Sequence, residues 1–201
     1  MSSEPAARST ISVQLFEQAD AACARAQADS DVHMAVCGGR EIWHTLHALD
    51  AIVLAVTAAE AGINEAVDYV RFRENLAGDF EDRTSLLKKW TELPNVVAAK
   101  TFDEETPPYI EFRVLVRLRH AVVHYKWGGR AAPDCFNDLL ARGLALPNES
   151  DWITAALTNQ TAEWALATVS AMFIRLGELV SPVEDPHLWV WGRVGFSRVS
   201  R

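Results

Sequence analysis

Basic residues and two histidines are concentrated in one segment of this chain, residues 109–130, which reads YIEFRVLVRLRHAVVHYKWGGR. Five basic side chains and one acidic side chain give the segment a net charge of +4, whereas the rest of the chain carries −12. A positive segment in a negative chain is what a local site for a polyanion needs. A solvated helix face is the alternative explanation of the charge.

Arg119, His120 and His124 lie within this segment and have the residue types for metal-free cleavage of RNA. An imidazole removes the 2′-hydroxyl proton, the oxygen attacks the adjacent phosphorus, and a guanidinium stabilises the charge on the phosphoryl oxygens. On an ideal helix Arg119 and His124 point about 140° apart, whereas His120 and His124 share a face. Convergence of Arg119 and His124 therefore requires a looser helix end or two chains that meet about a two-fold axis.

The spacing alone does not identify the site, because several Arg–His pairs in the chain are separated by four to six residues. A composition of this kind produces such pairs by chance. The four pairs are Arg40/His47, Arg113/His120, Arg117/His124 and Arg119/His124.

The elements that must position these residues are helices, since apolar residues recur at spacings of three and four and no strand-like alternation stands out. We predict an all-α bundle of long antiparallel helices. Thr106 is expected to cap the helix that carries the basic segment, and Gly62 to kink or end an earlier one. The predicted helices cover 11–28, 40–61, 63–76, 79–93, the stretch from Thr106 to about Tyr125, 133–142 and 148–180. They follow a flexible leader at 1–10, form one bundle over 11–180, and precede a C-terminal extension at 181–201.

Length and composition narrow the function classes. The 201 residues are 49% hydrophobic with a net charge of −8, which fits one globular domain and excludes a general nucleic-acid coat protein. No apolar run reaches about 18 residues and the N-terminus lacks an apolar core, so neither a membrane span nor a secretory signal is expected. The three widely spaced cysteines contain no C-x-x-C and favour a reducing cytoplasm. We expect no membrane partner, no DNA partner and no cofactor.

The segment LRHAVVHYK, residues 118–126, resembles the signature helix of the HEPN superfamily, named for higher eukaryote and prokaryote nucleotide-binding domains. In that signature a polar residue follows the Arg, and a His comes four to six residues after the Arg. AVTAAEAGINEAV, residues 55–67, resembles an earlier helix of the family, with Glu60 and Asn64 at the positions of a recurrent Glu and Asn. LLKKWTELP and PPYIEFRVLVRL resemble the spacer and the approach to the motif. The resemblance covers about 40–129 and implies a HEPN-like helical bundle.

Many HEPN proteins are metal-independent endoribonucleases that act as toxins of toxin–antitoxin pairs, in abortive infection or with CRISPR systems, and they commonly form homodimers in which the motifs face each other. The resemblance implies that Arg119 holds the phosphate, that His124 transfers a proton and that His120 takes the polar second position. It also implies that Glu60 orients the Arg or the His. Further RNA contacts are expected from Lys126, Trp127, Arg130, Arg117 and Asn64.

The chain departs from the family pattern at two places. His120 replaces the usual Asn, which changes the local orientation or adds a second base. Tyr125 directly follows His124, and Lys126 occupies the second place, where one toxin group carries a Tyr that a nucleotidyltransferase modifies. That regulation is therefore not carried over, although an antitoxin or a nucleotidyltransferase remains the kind of partner that the family implies.

The sequence is also compatible with two other functions. Some HEPN domains are non-catalytic binding or dimerisation modules, in which Arg119 would form a salt bridge to Glu60 and His124 would cap a helix. A metal-binding bundle is the other alternative, because Glu41-x-x-His44 has the spacing of a di-iron half-site, and His47 extends it. Motifs for nucleotide hydrolysis, dinucleotide binding or α/β-hydrolase chemistry are absent from the sequence.

Overall fold

The computed structural model describes residues 10–36, 43–74, 84–125, 132–147 and 151–180, with the backbone alone at 31–36, 43–45 and 72–74. These residues form seven helices and no strand, which confirms the all-α prediction. The helices are α1 (Ile11–Val36), α2 (Trp43–Glu74), α3 (Leu86–Ala98), α4 (Tyr109–Val123), α5 (Asp134–Ala141), α6 (Trp152–Ala156) and α7 (Asn159–Val180).

The centre of the fold is made by α1, α2 and α7, which pack against one another. Many of the side chains buried between them are alanines, whose small size lets helix axes approach closely and whose helix propensity is the highest of the amino acids. The fully buried alanines of these three helices are Ala19, Ala22, Ala26, Ala48, Ala51, Ala55, Ala58, Ala59, Ala162 and Ala165.

Trp90 on α3 joins the centre to the rest of the fold. Its indole is completely buried and meets three phenylalanine rings edge-on: Phe173 of α7 at 5.2 Å, Phe112 of α4 at 5.6 Å and Phe102 at 6.0 Å between ring centres. Such edge-on pairs stabilise a core by about 0.5–1.5 kcal/mol each beyond the area that they bury. The cluster therefore fixes α3, α4 and α7 relative to one another.

Helix α4 packs against α2, α5 and α7. One side of α4 is apolar and buried, because its large aliphatic and aromatic residues recur every three or four positions. This burial sets the rotation of α4 about its axis and determines which side chains face outward. The buried residues are Tyr109, Phe112, Val114, Leu115, Leu118 and Val122.

Two predicted helix boundaries in the first half of the chain are wrong. α2 continues through Gly62, which is buried, and α1 extends to Val36 rather than to residue 28. A glycine inside a helix costs about 1 kcal/mol, and the packing of α2 along its length against α1 and α7 outweighs that cost.

Helix α3 also differs from the prediction. It begins after Ser85, whose hydroxyl accepts a hydrogen bond from the Lys88 amide at 3.4 Å, whereas the predicted start at residue 79 lies outside the described residues. Pro94 lies inside the helix instead of ending it. The proline ring is buried in the core, and this packing keeps the segment helical although proline removes one backbone hydrogen bond.

The predicted cap of α4 and the predicted single helix 148–180 are corrected as well. The N-cap of α4 is Pro108 rather than Thr106, and no side chain caps this end. The last helix is divided into α6 and α7 because two polar side chains each begin a new helix. Asp151 accepts from the Thr154 amide, and Thr158 accepts from the Thr161 amide.

One helical stretch, Leu46–Arg71 of α2, is long and apolar enough to span a membrane by length and composition, and an 18-residue window within it has a mean hydropathy of 1.6. Polar residues such as Asp50, Glu60 and Asn64 interrupt this stretch, and the expectation that no helix spans a membrane stays a prediction. Half of its most apolar window is buried inside the bundle, so the packing of α2 against α1 and α7 accounts for its apolar composition.

Replacing Trp90 tests its central place in the core. Trp90→Ala is expected to lower the free energy of unfolding by about 3–5 kcal/mol. Trp90→Phe is expected to cost less, since it keeps a ring and removes the buried Nε1 donor, which lacks a hydrogen-bond partner within the described part of the chain. Guanidinium unfolding followed by circular dichroism measures both. Val96→Ala, at an exposed position of the same helix, is the control and should change stability by less than about 0.5 kcal/mol. A Trp90→Ala value no larger than this control would contradict the central role of the indole.

Candidate functional site

The two histidines of the basic segment lie side by side on the surface at the end of α4. His120 and His124 are both exposed, and their ring centres are 4.4 Å apart with the ring planes inclined by 54°. His124 is the C-cap of the helix, and its amide still donates to the His120 carbonyl at 3.1 Å. The helical register therefore persists up to His124.

Arg119 lies on a different side of α4 from these rings. Its position is about 40° from the buried Leu115 and about 140° from His124 around the helix axis. Its side chain is partly buried, and its Nε atom is buried with no hydrogen-bond partner among the residues that the structure describes. Within one chain, the structure does not bring Arg119 and His124 to one face.

Glu60 and Asn64, the two residues singled out on α2, have different surroundings. Glu60 is exposed, and no ion pair or hydrogen bond between described residues joins it to Arg119. The Asn64 side-chain oxygen accepts a hydrogen bond from the Lys89 ammonium at 2.8 Å, which ties α2 to α3. The Asn64 side chain therefore takes part in helix packing when no RNA is bound.

A continuous basic stripe runs along the outward side of α4. Its four members lie within about 60° of one another around the helix axis, because they are spaced by three or four residues. Arg113 is half-buried, and the other three are exposed. We call this stripe the basic face; it consists of Arg113, Arg117, His120 and His124.

A second polar cluster lies near the other end of α4 and was not predicted from the sequence. The Arg142 guanidinium donates from Nε and Nη2 to the two carboxylate oxygens of Glu111 at 2.8 and 3.0 Å. The Trp164 indole donates to the same carboxylate at 3.0 Å. The hydrogen bonds from Arg142 hold the pKa of Glu111 below its usual value, and those to Glu111 raise the pKa of Arg142. This Glu111 cluster joins α4 to α7 and to the turn after α5.

An open groove of about 410 Å³ lies beside the Glu111 cluster. Its charged residues satisfy each other, and Arg142 gives a further hydrogen bond to the Asp138 carbonyl at 2.9 Å. Because Glu111 and Arg142 neutralise each other, neither charge is left for a ligand, and the cluster stabilises the fold. The sequence feature that could have indicated this cluster is Glu111, the single acidic residue of the basic segment, which lies in the first turn of its helix. The remaining lining residues are Pro107, Pro108, Leu144, Trp164, Ala167, Thr168 and Ala171.

The described residues do not form a binding site of several ligands for a metal ion. They contain no group of three or more His, Cys, Asp or Glu side chains placed to hold one. His47 of α2 pairs with Asp29 of α1, with Nε2 and Oδ2 3.4 Å apart. Glu41 and the side chain of His44 lie outside the described residues.

The cysteines do not form a reactive centre in the described part of the chain. Cys23 and Cys135 are free and buried. Burial raises the pKa of the Cys23 thiol to about 11 and also raises that of Cys135. Both thiols are therefore protonated and poorly nucleophilic near neutral pH.

Several expected RNA contacts lie outside the described residues, namely Lys126, Trp127 and Arg130. The chain matches no family model, no curated protein and no solved structure in the comparisons with known proteins. Support for a function therefore comes from the sequence motif and from the geometry of α4.

The Glu111 cluster predicts a stability that depends on pH. The pKa of Glu111 is lowered in the folded chain, so its stabilising contribution is complete above the ordinary value of about 4.3 and is lost as the pH falls through the lowered value. Glu111→Gln is expected to cost about 1–3 kcal/mol of unfolding free energy at pH 7 and less at pH 3. Denaturant unfolding at both pH values measures the difference.

Glu178→Gln is the matched control for this measurement. Glu178 is exposed and pairs with the exposed Arg175 three residues earlier, so its loss should cost about 0.5 kcal/mol or less. An equal effect of Glu111→Gln at pH 7 and pH 3 would contradict the assigned role of the carboxylate.

Proposed function

We propose that this chain is a metal-independent endoribonuclease of the HEPN type that acts in the cytoplasm, in a toxin–antitoxin or phage-defence role. The observation that carries the proposal is the pair of exposed imidazoles, His120 and His124, on the basic face of α4. Their sequence context is the segment that resembles the family motif.

The chemistry needs no group beyond the side chains. One imidazole takes the 2′-hydroxyl proton of the RNA, the 2′-oxygen bonds to the adjacent phosphorus, and the bond from phosphorus to the 5′-oxygen breaks. A guanidinium stabilises the charge on the phosphoryl oxygens. The products are a 2′,3′-cyclic phosphate and a 5′-hydroxyl. Because the basic face is exposed and positive, it can receive the backbone of single-stranded RNA.

A homodimer is part of this proposal. The family arrangement, in which two motifs face each other, combines side chains from both copies. Because Arg119 and His124 lie on different sides of α4, any pairing between them requires the second copy. A dimer with the ends of the two α4 helices in contact would meet that requirement.

A second candidate function is a non-catalytic HEPN module that binds an antitoxin, a nucleotidyltransferase or another partner protein. The placement of Arg119 and Glu60 favours it, since the Arg119 Nε is buried and Glu60 is exposed without a described contact to Arg119. The two candidates differ in one measurable property, the turnover of RNA.

The endoribonuclease proposal is tested by incubating the purified full chain with single-stranded RNA in the presence of EDTA. Cleavage is expected to persist under chelation and to produce 2′,3′-cyclic phosphate ends. His124→Ala is expected to lower the rate by about 10²–10⁴-fold, because a positioned acid or base is lost. Because His124 is exposed, the substitution is expected to leave the fold intact, which circular dichroism checks.

His47→Gln is the matched control, since it removes an imidazole from α2 rather than from α4. It should leave the rate of cleavage unchanged. Absence of RNA turnover in the wild-type chain, or equal turnover in the wild type and His124→Ala, would reject the endoribonuclease proposal and favour the binding module.

A further inference from the structure

Arg117 forms one of the four Arg–His pairs with the spacing of the motif, and the sequence assigned it only a further RNA contact. It is exposed on α4, three residues before His120 and seven before His124. Around the helix axis it lies about 60° from His120 and about 20° from His124. Arg117, His120 and His124 therefore form a run of neighbouring side chains on one face of a single chain.

We infer that Arg117, rather than Arg119, supplies the guanidinium that binds the scissile phosphate beside His120 and His124. The inference rests on the proposed function, and it assigns the phosphate-binding residue of that same site. With this assignment, one copy of the chain supplies the guanidinium and both imidazoles of a site. A second copy is then not needed to complete the set of reacting groups.

The accessibility of the two guanidinium groups supports this assignment. A guanidinium that binds a phosphate must present several of its N–H groups to the ligand. Arg117 is exposed, and no hydrogen bond or ion pair between described residues engages its side chain. Arg119 is partly buried and its Nε is buried, so that donor is not available to a phosphate in solvent.

The side chains of this face supply the groups for one balanced step. His124 takes the 2′-hydroxyl proton as the 2′-oxygen bonds to phosphorus. His120, in its protonated form, gives a proton to the departing 5′-oxygen as the bond from phosphorus to that oxygen breaks. Arg117 holds the non-bridging oxygens, where negative charge increases in the transition state. One proton is accepted and one is donated, so the step is balanced without another reactant.

The experiment compares three arginine variants on a short single-stranded RNA with a fluorescent label. Arg117→Ala is expected to lower kcat by about 10²–10³-fold, the usual effect of losing a donor to the transition-state charge. Arg119→Met keeps the buried apolar stem and removes the charge, and it is expected to retain most of the activity. Arg113→Ala removes a guanidinium from the same face one turn farther from the histidines, and it should raise KM more than it lowers kcat. Arg175→Ala on α7 controls for the loss of an exposed arginine.

The outcomes separate this inference from the function on which it rests. If His124→Ala is inactive and Arg119→Met is also inactive while Arg117→Ala is active, the inference is overturned and the proposed function stands. If cleavage depends on Arg117 and His124 but not on Arg119, the inference is supported. A folded Arg119→Met variant is verified by its denaturant midpoint, so that a loss of activity is not a loss of structure.

Binding provides a readout that does not need turnover. Fluorescence anisotropy of the same RNA should show weaker binding by Arg117→Ala and nearly unchanged binding by Arg119→Met. If the wild-type chain binds RNA without cleaving it, the proposed endoribonuclease function fails, while this measurement still decides which arginine contacts phosphate. Weaker binding by Arg119→Met with wild-type binding by Arg117→Ala would overturn the inference.

Discussion

The burial of one side of α4 is the constraint on which the candidate site depends. Phe112 meets Trp90 edge-on, and Leu115 and Leu118 are completely buried, so α4 cannot turn about its axis without exposing this apolar side. Burial of a large apolar side chain stabilises a fold by about 1.5–3 kcal/mol. With its rotation fixed in this way, the helix presents the basic face to solvent.

The two ends of α4 are held differently. At the N-terminal end, the Glu111 carboxylate receives hydrogen bonds from Arg142 and Trp164, which attach the helix to its neighbours. At the C-terminal end, His124 is the C-cap of the helix and its ring lies beside the exposed His120 ring. The N-terminal end of α4 is thus held in place, and its C-terminal end is open to solvent, which suits a helix whose side chains bind a ligand. The polar cluster is therefore part of the support of the site rather than a second site.

The same geometry connects the two proposals. A site formed by Arg119 and His124 requires two chains, since these residues point in different directions from one helix. A site read as Arg117, His120 and His124 is available on one face and agrees with their exposure. Both readings use the same imidazoles, so the choice between them concerns the guanidinium and the role of the second copy.

The sequence alone determined the helical class, because spacings of three and four between apolar residues have no other regular interpretation. It also identified the basic segment and the shared face of His120 and His124, which follow from the local geometry of a helix. Tertiary packing decided the remainder: α2 continues through Gly62 and α3 through Pro94 because buried contacts outweigh local preference. Packing likewise decided that the Nε of Arg119 is buried, that Glu60 is exposed and that Glu111 pairs with Arg142, since these outcomes depend on neighbours distant in the chain.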